Sequence, residues 1–584
     1  MSIFIETIDL TKEYKLASGE TITALKNINL KISRGEIFGI FGRSGAGKTT
    51  LIRVLRGVEP FNSGSIIING ITLLPENKTD KLHLYRLKRI SSIHLQRNFG
   101  LWADTVLHNV MRKLNIIKHN SETVDLPNIE SLEYTNMKNK AIDILKLVKL
   151  ENKANWFVNM LSGGEKQRLV LARQLALAEN GLELLLLDEP LTMSDFILRD
   201  LILKNVRNTA KQNNITIVIS SHNPFVLESI CDRIAILDRG SIEKIMNSQN
   251  FGEIIWSKID EINKLKPLLQ THVIISARNI QQVYYHQNLK KAFNLKIDKL
   301  EIFEGEILGI VGRSGIGKTV LIRILSGVEM PKNGEVIYHF EKSVNIYDLG
   351  YNALDSRIKI GLVHQELDLE YFATVRDLIM SKIGFKNENV ISNAKKKAKQ
   401  LGLKENIIDF IHRLGDLPFS EVKAKLDKLN LDPQVLNDLF PISPLEAYEG
   451  QIIPLFNSFG LDKSLLNRKT KELSGGEKIR IAIILQILSK PKILFLDEPF
   501  GDIDPYTTNK IINFLIQINK EQNMTIIIST HHYDVLKNCV HRLLLLKEDD
   551  KKALTEIDKI CDNSDEFNDI IKNLYTYFSR NKLI

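Results

Sequence analysis

GRSGAGKTT at residues 42–50 returns as GRSGIGKTV at residues 312–320, and this repeated string sets the reading of the whole chain. Each copy follows a short apolar run, IFGIF at 37–41 and ILGIV at 307–311, and leads into an amphipathic stretch. A strand, a glycine loop and a helix in that order make a phosphate cradle. Backbone N–H groups of the loop close around a polyphosphate, and the helix start adds positive potential. The candidate phosphate-binding residues of the first copy are Gly42, Arg43, Ser44, Gly45, Ala46, Gly47, Lys48, Thr49 and Thr50. Those of the second are Gly312, Arg313, Ser314, Gly315, Ile316, Gly317, Lys318, Thr319 and Val320. Lys48 and Lys318 are placed to bridge phosphates, and the Thr49 and Thr319 hydroxyls to ligate Mg2+.

The repetition extends outward from the loops. Lys48 and Lys318 are 270 residues apart, and Gln96 and Gln365 are 269 apart. LSGGEKQR at 161–168 pairs with LSGGEKIR at 473–480 at an offset of 312. LDEP at 187–190 pairs with LDEP at 496–499, and His222 with His531, both at 309. Two copies of one domain explain every pair. The jump in offset places about 43 extra residues in the second half, between Gln365 and Ser474. Heptad-like apolar spacing in VKAKLDKLNLDPQVLNDLF, punctuated by Pro418, Pro433 and Pro441, predicts a helical insertion near 384–450.

Apolar β-branched runs alternate with amphipathic stretches in each copy, which predicts an α/β fold with a mainly parallel sheet. LLLLD at 184–188 and ILFLD at 493–497 read as buried parallel strands ending in a carboxylate at the ligand edge. Asp188 and Asp497 are suited to hold magnesium, and the adjacent Glu189 and Glu498 to polarise an attacking water. RIAIL at 233–237 reads as the last strand of the first copy, and HVIISARNI at 272–280 opens the second. The expected domains are residues 1–268 and 269–584.

The two LSGGE strings resemble the signature of the ATP-binding-cassette ATPases, a motif far more specific than the phosphate loop. The resemblance implies two P-loop NTPase cassettes in tandem, each with a helical signature subdomain, and ATP hydrolysis with Mg2+. It also implies two ATP per chain at composite sites. Ser474, Gly475 and Gly476 would cap the nucleotide on Lys48, and Ser162, Gly163 and Gly164 the one on Lys318. Serine hydroxyls and glycine N–H groups at a helix start make a second anion site. By the same resemblance Gln96 and Gln365 are Q-loop residues sensing magnesium and the attacking water. His222 and His531 match the switch histidine that meets the γ-phosphate. Tyr14 and Tyr284 stand where the family stacks an aromatic ring on adenine, with Tyr285 competing for the second position. After LDEP the second copy reads FGDIDP, with Asp504 in the D-loop position. The first reads LTMSDF, keeping Asp195 but carrying Ser194 where leucine is usual.

Rarer strings narrow the resemblance. RGVE and SGVE after the phosphate-loop helices, LQRNFGLWADTVLHNV and GLVHQELDLEYFATVRDL at the Q-loops, the inserted HRLGDLPFSEVKAKLDKLNLD and the DEPFGDIDP string are similar to one subfamily. This is the ATP-binding component (AtwA) of the methyl-coenzyme M reductase activation system of methanogenic archaea. That resemblance implies a partner complex of methyl-coenzyme M reductase and its activation factors, whose nickel porphinoid is reduced when the ATPase remodels the assembly. The cysteine-pair insertion often carried by the first cassette of that subfamily is absent between Gly64 and Ile90. Two other classes stay open: the ATPase subunit of an ABC transporter, and a ribosome-associated ABC factor.

Composition bounds the remainder. The 584 residues exceed one hydrophobic core, and 43% hydrophobic with 26% charged residues describes a globular chain. No run of about 18 apolar residues occurs, and MSIFIETIDL lacks the basic start and apolar run of a signal peptide. A cytoplasmic protein is expected, without direct membrane insertion. Cys231, Cys539 and Cys561 have no paired spacing, which argues against a cluster built by this chain alone. The +9 charge fits nucleic acid, acidic partners or simple solubility; a solubility role is expected, without a nucleic-acid partner. The basic run Lys395–Lys397 with Lys399 reads as a solvated face.

Overall fold

The computed structural model describes residues 2–562 except 16–20, 76–78, 96–99, 120, 122–123, 179, 193–195, 258–261, 269–271, 287–288, 314, 365–368, 370–372, 387, 401–402, 405–406, 409–410, 412–438, 441–448, 501–502, 531–535, 537–538 and 550–553. Gln96, Gln365, His531, Ser314, Ser194 and Asp195 therefore lie outside the described residues, as does most of the helix expected at 422–440. The chain forms two compact units, Met1–Ile259 and Asp260–Ile584.

In the first unit a six-stranded sheet runs in the order Ser241–Asn247, Arg233–Asp238, Ile37–Phe41, Thr216–Ser221, Leu184–Asp188, Ser91–His94. Its last five strands are parallel. They are buried on both faces, so they are written as continuous apolar runs rather than as alternating ones. The edge strand Ser241–Asn247 turns back antiparallel through Arg239 and Gly240, both at positive φ. This hairpin was not expected, because IEKIMN alternates weakly and faces solvent in part. A separate antiparallel sheet, ordered Thr21–Ser33, Ile3–Lys15, Ser63–Ile68, Ile71–Leu73, encloses with the first a core around Ile5, Leu51, Ile52 and Leu186. Helices Val106–His119, Leu132–Leu147 and Gly163–Leu175 pack together as a helical subdomain.

The second unit repeats this plan. Five parallel strands, Arg542–Asp549, Ile307–Val311, Thr525–Ser529, Ile493–Asp497 and Ile360–Val363, stand in that order. Here the antiparallel layer joins them through Leu554–Asp562, paired with Leu289–Phe303 at Leu295 and Thr555, to give one ten-stranded sheet. The helices Val375–Lys386, Glu449–Ser458 and Gly475–Leu488 pack together. Within the expected insertion, helix Glu388–Gln400 is described. Its Ile391, Ala394 and Ala398 share one buried cluster with Leu354, in the middle of helix Tyr351–Arg357, and with Ile358, just beyond its end. Lys395 is not simply solvated: it bonds Asp355 at 2.7 Å and lies 4.7 Å from the Tyr351 ring. The stretch 262–268 is tied to this unit, with Asn263 donating its N–H to Asn513 at 2.7 Å and His541 Nε2 bonding the Lys266 carbonyl at 2.8 Å.

Candidate active sites

Each site begins where a buried parallel strand ends. Strand Ile37–Phe41 delivers the chain to a loop that closes at Gly47, and helix Lys48–Leu55 starts there without a side-chain cap or a first-turn acid. Its free N–H groups and positive end are thus left for an anion. Gly47 has φ +102°, and a Cβ there would lie 2.4 Å from the Ala24 carbonyl. Only glycine fits such a turn. Helix Lys318–Leu325 begins the same way behind Gly317 at φ +107°.

Lys48 is buried, and its Nζ donates to the Gly42 and Arg43 carbonyls at 2.8 and 3.2 Å. The same ammonium lies 3.5 Å from Glu189 Oε1. Lys318 repeats this with Gly312 and Arg313 at 2.9 and 3.2 Å and Glu498 at 3.4 Å. Asp188, closing its strand, accepts from Ser220 Oγ at 2.7 Å and Thr49 Oγ1 at 3.2 Å. Burial raises its carboxyl above the usual range, with the Ser220 bond opposing. Asp497 accepts from Ser529 Oγ at 2.5 Å, and burial raises it too against Ser529 and Thr319. Hydroxyl and carboxylate oxygens side by side are a donor set that suits a hard cation such as Mg2+.

Glu189 and Glu498 sit at φ +47° and +49°, a costly conformation for a residue with a side chain. Each is pinned by its N–H bonding the facing serine, Ser220 or Ser529, through both carbonyl and hydroxyl. Glu189 Oε2 lies 2.9 Å from His222 Nδ1 and accepts the His222 N–H at 3.3 Å. Burial alone would raise this carboxyl, but His222 and Lys48 outweigh it and hold it at about 2. It is therefore ionised at neutral pH.

Tyr14 faces the Thr50 hydroxyl, with Lys12 Nζ 4.7 Å from its ring centre and 3.4 Å from Glu59. Tyr284 donates its hydroxyl to Glu329, which also accepts from Gln282 at 2.6 Å, and its ring lies 5.8 Å from Phe293. The RGVE and SGVE strings thus supply the acids beside both tyrosines. Neither Glu59 and Glu329 nor Ser220 and Ser529 was picked out from sequence. The usable signal was a polar residue at matched repeat positions, twice inside an apolar strand.

The LSGGE serines cap their own helices. Ser162 and Glu165 form a reciprocal capping box at 3.4 and 3.1 Å, and Ser474 and Glu477 another at 3.3 and 2.7 Å. Gly163 and Gly164, and Gly475 and Gly476, open those helices.

A family model described as "ABC transporter" matches residues 25–192 and again residues 295–501. The chain belongs to the ABC family. It is a tandem ABC ATPase, and an uncharacterized ABC transporter ATP-binding protein of Methanocaldococcus jannaschii is 38% identical over 96% of both chains. Methionine import ATP-binding protein MetN 2 of Enterococcus faecalis is 36% identical over 41% of this chain and 63% of its own. Among solved structures, archaeal ribosome recycling factor aABCE1, in complex with ribosomal stalk protein aP1, superposes with TM-score 0.58 over 97% of this chain and 92% of that one. At 19% identity that likeness speaks to the ABC ATPase fold alone. Among the described residues no helix is long and apolar enough to cross a membrane.

Proposed function

We propose that this ABC ATPase is a motor in which two ATP molecules are each held between the phosphate loop of one cassette and the signature turn of the other. Closure on ATP and release after hydrolysis would remodel a partner complex. The duplicated cluster carries the reading: a lysine facing a glutamate, and an aspartate fixed by a strand serine, recur in both units. Two intact clusters favour two working sites.

In this mechanism Lys48 moves from Glu189 to the β- and γ-phosphates, where the charge is greater. Glu189, still held by His222, then orients a water for in-line attack. A carboxylate this acidic is a positioning acceptor more than a strong base, which suffices for a reaction governed by alignment and charge. Thr49 and Asp188, with Thr319 and Asp497 in the second cassette, would hold Mg2+, whose chemistry is to neutralise phosphate charge. Gln96, Gln365 and His531 are proposed to complete the sites. Ser474, Gly475 and Gly476, with Ser162, Gly163 and Gly164, would lend their donors to the opposite γ-phosphate. Tyr14 and Tyr284 would stack on the adenines.

The client we propose is the methyl-coenzyme M reductase activation assembly. The rare strings at the Q-loops and insertion support it, as does the relative in Methanocaldococcus jannaschii that aligns over 96% of both chains. Residues 1–268 and 269–584 would act as the two cassettes, and the insertion near 384–450 as an arm toward the client. Affinity purification of a Glu189→Gln, Glu498→Gln double variant with ATP tests this. Recovery of the reductase assembly supports it, and its absence from the trapped complex rejects that client. Similarity to a methionine import ATPase keeps a second reading in play, that of a transporter subunit. The same purification would then recover membrane proteins that stimulate the ATPase.

A further inference from the structure

Helix Lys81–Ile90 of the first unit and helix Tyr351–Arg357 of the second are the same element in the two repeats. Each leads to a matching edge strand, Ser91–His94 or Ile360–Val363, 269 residues apart. At that offset Leu82 corresponds to Tyr351, Tyr85 to Leu354, Arg86 to Asp355 and Arg89 to Ile358. The inward positions agree as well: Leu87 and Ser356 are both buried.

The outward faces differ. In the second unit helix Glu388–Gln400 lies on that face, sharing a buried cluster with Leu354 and pairing Lys395 with Asp355 at 2.7 Å. In the first unit the same positions lie open, with Leu82 50% and Tyr85 51% exposed. Around them stand Lys81, Arg86, Lys88 and Arg89, all exposed. None of the four has an ion-pair partner among the described residues, and no acid lies on the helix. The internal repeat therefore shows one kind of element that seats on this face: a helix offering apolar side chains, Ile391, Ala394 and Ala398, at i, i+3 and i+7. The charge has reversed, since an aspartate answered by a lysine in one unit is an arginine in the other.

We propose that the face of helix Lys81–Ile90 made by Leu82, Tyr85, Arg86 and Arg89 docks an acidic amphipathic helix from a partner protein. The apolar pair would seat its stripe, and the arginines would meet glutamates or aspartates on its flanks, setting orientation and encounter rate more than raw affinity. The helix runs directly into the edge strand Ser91–His94, two residues before Gln96 in the chain. The inference holds whichever client the motor serves.

The test places a photoreactive benzoylphenylalanine at position 85 of the full-length chain, irradiates it in lysate of the cells that make the protein, and maps the attached peptide. A second chain carries Arg86→Glu and Arg89→Glu in addition. The proposal expects an adduct on a partner segment with net negative charge and apolar residues at i, i+3 and i+7. It further expects at least a tenfold loss of that adduct in the charge-reversed chain, with ATPase rate and melting temperature unchanged. An adduct on this chain itself, on RNA or on a segment without acidic flanks overturns it. So does no adduct at all, or one that survives charge reversal.

Discussion

Lys48 Nζ and Glu189 Oε1 face each other at 3.5 Å inside the first site, and Lys318 and Glu498 do so at 3.4 Å inside the second. Each pair joins the group proposed to bind phosphate to the group proposed to orient water. In such a pair neither charge is left bare in the buried site, and a triphosphate exchanges partners instead of creating new charges. Replacing Glu189 or Glu498 by glutamine keeps the shape and removes the charge. Turnover is expected to fall by about 100-fold or more while ATP affinity holds or rises, measured as kcat and as nucleotide Kd.

Replacing Lys48 by alanine leaves Glu189 buried beside His222 only. The expected outcome is loss of ATP binding to the first cassette together with a rise in the Glu189 pKa from about 2, because the Lys48 ammonium that helps to lower it is gone. Site-resolved nucleotide titration and the pH dependence of stability read both effects.

Gly47→Ala puts a Cβ 2.4 Å from the Ala24 carbonyl at φ +102°. The loop must then move, at a cost of about 1–3 kcal/mol. Melting temperature should drop and first-site ATP binding should vanish, whereas the open Gly70, with nothing within 4 Å of its Cβ, should tolerate alanine with only the smaller strain of its positive φ.

His94, closing the strand before Gln96, is fully buried with both ring nitrogens unpaired among the described residues. Burial lowers its pKa to about 4. An unfolded chain takes up this proton below about 6.5 and the folded chain resists until about 4, so stability falls as pH drops through that window. The loss amounts to about 3 kcal/mol at most. His94→Leu should flatten the dependence and stabilise or spare the fold at pH 5, as read by urea unfolding across pH.

Glu329 accepts the Tyr284 hydroxyl, so Glu329→Ala should loosen Tyr284, the proposed base platform of the second site. ATP should bind several-fold more weakly while base-free tripolyphosphate competes as before, and Glu329→Gln, which keeps an acceptor, should restore ATP. Equal loss for both ligands would mark a structural role only.

The phosphate loops, the acidic strand ends and the twofold plan were legible because their signals are local. A parallel strand buried on both faces is an unbroken apolar run such as LLLLD, and a glycine turn before a helix is a string of fixed length. What escaped depends on distance. Ser220 meets Asp188 across 32 residues, and Glu329 meets Tyr284 across 45, contacts that only the sheet order creates. The edge strand Ser241–Asn247 escaped because one of its faces is wet and its pattern correspondingly weak. The chain length of the insertion was plain from the offsets, whereas the buried cluster that Leu354 shares with helix Glu388–Gln400 was not, since small residues such as Ala394 and Ala398 mark a seat only when both helices are in view.

In the proposed motor a serine–glycine turn from one cassette grips the phosphate tail bound by the other. A γ-phosphate-linked photoreactive ATP analogue, bound to a Lys318→Ala chain so that only the first phosphate loop is loaded, measures this without requiring turnover. Attachment to the peptide containing Ser474, Gly475 and Gly476 is the predicted result. Attachment confined to the peptide containing Ser162, Gly163 and Gly164 would contradict it.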